Sequence, residues 1–81
     1  MDQKFKLEYQ YQLYLKRIAL KEEEMHPEQK IQTRQAFFGA CGQILLLMHN
    51  DIAELSEEEG VKILDNLMNQ VSSYFLSRTQ N

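Results

Sequence analysis

The run Ala36-Phe37-Phe38-Gly39-Ala40-Cys41-Gly42-Gln43-Ile44-Leu45-Leu46-Leu47-Met48 constrains this chain more than any other stretch. It is apolar or small at nearly every position, so it reads as the middle of a helix with no charged face. A helix of that kind has to be covered on more than one side. The chain has 81 residues, enough for one domain. At this size roughly 60–65% of the unfolded surface can be buried. The net stability of so small a core is near break-even. Small domains are otherwise stapled by disulfides, by metals or by association. Cys41 is the single cysteine, which excludes an internal disulfide, and no His/Cys/Asp/Glu cluster has metal-ligand spacing. Association with another chain is the remaining device, with unusually good helix packing within the chain as the alternative.

Few Gly and Pro and many Glu, Gln, Lys and Leu favour helix over sheet. Three segments follow, at about 5–24, 27–51 and 57–78, and we read them as one helical domain over residues 1–81. The third is the clearest. Ser56-Glu57-Glu58-Glu59 has the form of a capping box, and three acids in a first turn suit the helix dipole. Val61, Leu64, Met68, Val71 and Phe75 then recur at spacings of three and four. Ile63, Leu67 and Tyr74 widen this stripe, while Lys62, Asp65, Asn66, Asn69 and Ser73 fall opposite.

The second segment opens at Pro27, whose missing N–H costs little in a first turn. Ile31, Phe38, Cys41, Leu45, Met48 and Ile52 form one stripe, with Phe37, Ala40, Ile44 and Leu47 beside it. Gly39, Gly42 and Leu46 stack on the other side. Two glycines inside a helix each cost roughly 0.5–1 kcal/mol relative to alanine. Close approach of another backbone would compensate; the alternative is a kink or break at Gly39–Gly42.

The first segment is ambiguous. Residues 4–13 alternate polar and apolar, which is a strand pattern. Read as a helix, Leu7, Tyr11, Tyr14, Leu15 and Ile18 line one face and Phe5, Tyr9, Leu13 and Leu20 the other. The helix is preferred. No turn signal separates this run from Lys16–Glu24, and the chain holds no second strand to pair with it.

The candidate chemistry is thin. Cys41 lies within the apolar arc, where a thiol is an inert small hydrophobe. Glu23-x-x-His26 matches half of a carboxylate–histidine metal element, but Pro27 follows directly, and His49 lies a helix length away. Glu22–Glu24 and Glu57–Glu59 lack the spacing of a calcium loop. Arg34 falls inside the apolar arc, between Ile31 and Phe38. The simplest reading lets it snorkel out from an exposed helix end. The sharper one gives it a carboxylate or a partner. No phosphate-binding loop, catalytic triad or paired-acid site stands out. No cofactor, metal or catalytic residue is expected, and the protein is read as a non-enzyme.

Net charge is −3, which argues against general affinity for nucleic acid or acidic membranes. Residues 1–34 nonetheless hold seven Lys/Arg against six Asp/Glu, and residues 35–81 two against six. Tyr9, Tyr11 and Tyr14 lie among Lys4, Lys6, Lys16 and Arg17. Aromatics interleaved with basic residues suit protein hot spots or single-stranded nucleic acid. The acidic remainder favours protein.

These features predict an all-α fold: a small three-helix bundle with a central, mostly buried second helix, oligomeric, with a homodimer favoured. The expected function is a non-enzymatic protein–protein interaction module of adaptor, assembly-factor or inhibitor type. Its candidate interaction residues are Tyr9, Tyr11, Tyr14, Arg34, Gly39, Gly42 and Leu46. A heterologous protein partner is the other possibility. The alternative function is a nucleic-acid-binding regulator using the N-terminal Lys/Arg/Tyr segment. The opening Met-Asp-Gln-Lys holds no apolar leader, and residues 36–48 are too short to span a bilayer. With one unpaired thiol, a cytoplasmic location without membrane contact is expected.

Overall fold

A computed structural model describes residues 2–79. All of its regular structure is helical among these residues: α1 over Leu7–Arg17, α2 over Pro27–Asn50 and α3 over Glu57–Thr79. Single 3₁₀ turns at Gln3–Phe5, Glu22–Glu24 and Ile52–Glu54 punctuate them. The class is all-α, and the alternating residues 4–13 enter a turn and then α1, not a strand. The chain forms two compact units, the first ending at Ile44 and the second starting at Leu45, so the boundary falls within α2.

Helix α1 stops earlier than the sequence predicts. The periodicity predicts a continuous segment to Glu24, but regular helix ends at Arg17. The Leu20 N–H reaches back to the Leu15 carbonyl at 2.9 Å, and the Ala19 N–H to the Lys16 carbonyl at 3.2 Å. These two bonds make a Schellman stop, which needs a left-handed residue just past the cap. That residue is Ala19, with φ 59°. Glycine is usual there because a Cβ is disfavoured in this region, so an alanine carries no visible stop signal.

The start of α2 follows the sequence. Pro27 is its first residue, and the His26 carbonyl accepts the Lys30 N–H at 2.9 Å. The helix runs unbroken through Gly39 and Gly42. It ends at Asn50, and Ile52, expected on its stripe, lies in the following turn. The expected burial of α2 is not met within the chain, where none of its residues is buried.

At α3 the capping interaction forms as expected: the Glu59 N–H donates to Ser56 Oγ at 3.2 Å. Glu57, Glu58 and Glu59 occupy the first turn and Arg78 the last, which matches the helix dipole at both ends. Gly60 is buried at the base of this helix. A Cβ built there would meet Ile52 Cγ2 at 3.6 Å, so the turn over Ile52–Glu54 rests on the first turn of α3.

Candidate functional site

The first unit is organised around Tyr11. Its ring is 0% exposed, and Leu15, one turn on, is also buried. Both lie on the α1 face identified from the sequence. Phe37 and Phe38 of α2 meet them. The Tyr11 ring centroid is 5.2 Å from that of Phe37 and 6.1 Å from that of Phe38. Tyr14 packs on Phe37 at 5.3 Å. Tilted aromatic pairs at such distances contribute about 0.5–1.5 kcal/mol each beyond simple burial.

Arg34 closes this cluster. Its guanidinium lies 4.8 Å from the Tyr11 ring centroid, a cation–π arrangement. Nη1 and Nη2 donate to Glu8 Oε1 and Oε2 at 2.8 and 2.9 Å. Nε donates to Glu22 Oε2 at 2.7 Å, and Nη2 also to Glu22 Oε1 at 3.3 Å. A planar guanidinium between two carboxylates uses the fork geometry that lysine lacks. The Arg34 hydrogen bonds hold Glu8 down from 4.5 to about 2. They also lower Glu22, and both carboxylates raise Arg34. Burial pushes the Tyr11 phenol up, and the adjacent Glu22 charge adds to that. The Tyr11 hydroxyl lies beside Glu22 without a well-formed hydrogen bond.

Two of the candidate residues are engaged within this unit. Tyr11 is fully buried in it. Arg34 has the carboxylate partner that its position in the apolar arc calls for: four of its N–H bonds go to Glu8 and Glu22, while its side chain stays 35% exposed. The sequence marks Arg34 as wanting a carboxylate but does not point to Glu8 or Glu22, which lie 26 and 12 positions away.

The other candidate residues are accessible. Tyr9 and Tyr14 are exposed, though Tyr14 shares its ring with Phe37. Among the described residues nothing lies within 4 Å of a Cβ built at Gly39 or Gly42. Leu46 is exposed, as are Ile44, Leu45 and Met48. None of the candidate interaction residues lies on α3, yet its whole stripe of Val61, Leu64, Met68, Val71 and Phe75 is exposed, from 37% at Leu64 to 64% at Met68.

Among the described residues no group of three His, Cys, Asp or Glu stands where it could hold a metal. Cys41 is half-buried. A cleft of about 360 Å³ beside the α1 stop is lined by Ala19, Leu20, Lys21, Glu24, Met25 and Gln29. Its charged groups are Lys21 and Glu24. No described helix is long and apolar enough to cross a membrane. No protein-family profile, curated protein or solved structure matches the chain.

Proposed function

We propose that this protein is a small, non-enzymatic interaction module whose apolar helix faces are covered by protein, with self-association into a bundle of helices as the first mode. The observation that carries the reading is the exposure of Val61, Leu64, Met68, Val71 and Phe75 along one face of α3. A monomeric protein exposing so long a contiguous apolar stripe would be unusual. Ile44, Leu45, Leu46 and Met48 at the end of α2 add to the surplus, and Gly39 and Gly42 would let a second backbone approach. The burial that the sequence leads one to expect for α2 is then met between chains. A cytoplasmic location suits the free thiol.

The nucleic-acid reading is weaker, because one of the seven Lys/Arg of residues 1–34, Arg34, is neutralised by Glu8 and Glu22. Lys4, Lys6, Lys16, Arg17, Lys21 and Lys30 would have to hold the phosphates.

Light scattering on the purified chain tests the proposal, together with amide hydrogen exchange along α3. Association predicts a mass above one chain and α3 protection that grows with protein concentration. A 9.6 kDa particle with α3 already protected at every dilution would sink it, since the face would then be covered from within.

A further inference from the structure

Resting on the interaction reading, we infer that the occupant of the α3 face is the α3 of a second copy of this chain, laid antiparallel. Val61, Leu64, Met68, Val71 and Phe75 alternate at three and four residues, and Arg78 takes the next place in the same series. This is the seam of a two-stranded coiled coil. Its apolar part covers 14 residue steps, or ~21 Å of helix. All five side chains are exposed in the single chain. The direction follows from charge. Glu57, Glu58 and Glu59 fill the first turn, while Arg78 is the basic residue of the last. Parallel pairing would set Glu57 of one copy, one step before Val61 in the same series, beside Glu57 of the other, with the two helix dipoles aligned. Antiparallel pairing brings Arg78 of each copy against the acidic first turn of the other and opposes the dipoles. In that register Leu64 of one copy faces Phe75 of the other, and Met68 faces Val71 near the centre. Glu58 already has a long ion pair with Lys62, 3.7 Å across the helix surface, but both groups stay solvated, so it does not compete strongly.

The test uses the full chain with Cys41→Ser, which removes the sole thiol. Leu64→Cys and Phe75→Cys are made separately in that background and oxidised alone and mixed. Antiparallel pairing gives a covalent dimer efficiently only in the mixture. Efficient cross-linking of each variant by itself overturns the inference. A second measurement is the solution mass of Met68→Glu, which buries a charge at the centre and should weaken association by about a hundredfold or more. Asn69→Glu adds the same charge on the polar face and should leave the mass unchanged. If Met68→Glu keeps the wild-type assembly, α3 is not the seam, while the broader interaction reading survives on another face. If the unmodified chain is monomeric and α3 is protected only by a different protein, the second-copy inference fails and the broader reading again stands.

Discussion

Arg34 of α2 grips Glu8 of α1 through two parallel hydrogen bonds, Nη1 to Oε1 at 2.8 Å and Nη2 to Oε2 at 2.9 Å. The same guanidinium covers the Tyr11 ring. One side chain therefore ties a turn, two helices and the aromatic core together.

The clamp makes stability depend on acid. Glu8 is held at about 2 against an ordinary 4.5, and Glu22 is lowered by the same arginine. A carboxylate lowered in the folded state contributes fully above its ordinary value, and the contribution is lost as pH falls through the folded one. The melting-temperature gap between wild type and Glu8→Gln should therefore close as pH falls from about 4.5 to about 2. A gap that stays constant over that range would show that the clamp does not hold in solution. At neutral pH Arg34→Lys keeps the charge but loses the fork, so it should melt below wild type and above Arg34→Ala.

Tyr11 separates core from contact. Tyr11→Ala should cost about 3–5 kcal/mol, as for other buried aromatics. Tyr11→Phe gives up a hydroxyl without a well-formed hydrogen bond, so it should stay within ~1 kcal/mol of wild type. Urea denaturation checks both. A large loss from Tyr11→Phe would reveal a hydrogen bond that matters.

Ala19 holds a left-handed backbone at φ 59°. Relief of that conformation by Ala19→Gly should stabilise the chain by roughly 1 kcal/mol, less the flexibility glycine adds to the unfolded state. Thermal melts decide this, and a loss of stability would mean that the α1 stop is not a Schellman turn.

The three helical glycines should respond differently. Gly60→Ala makes an ordinary contact with Ile52 and should stabilise α3 by about 0.5–1 kcal/mol. Gly39→Ala and Gly42→Ala meet open space within the chain, so each should stabilise α2 comparably under conditions where the protein is monomeric. If another backbone docks on that seam, the same changes will weaken association. Melts and light scattering on one set of variants separate the effects, and unchanged association would remove Gly39 and Gly42 from any interface.

Starts were more legible than stops. Ser56 and Pro27 announce their helices by side-chain chemistry that acts within one turn, and both begin where expected. The end of α1 was hidden because Ala19 occupies a conformation usually marked by glycine. Ile52 continues the α2 periodicity on paper, yet the chain turns after Asn50 and Ile52 is buried against Gly60 instead. The α1 wheel placed Tyr11 and Leu15 on one face correctly. It could not say that Phe37 and Phe38 would cover that face, since the pairing depends on how the chain turns between Arg17 and Pro27. Arg34 was visible as a misplaced charge for the same reason that its partners were not: periodicity reports which face a residue occupies, and nothing about what faces it.

From residue 45 onward, Ile52 is the one described apolar side chain that is buried. The earlier unit has Tyr11 and Leu15 as an interior of its own; the later one has almost none. If α3 is completed by a second copy, a dilute chain carries that helix with its apolar face uncovered, and local opening leaves it open to proteases. Newly made protein would be cleared until enough accumulates to pair. Its abundance in a cell would then rise more steeply than its rate of synthesis, a threshold set by how little apolar surface surrounds one isoleucine.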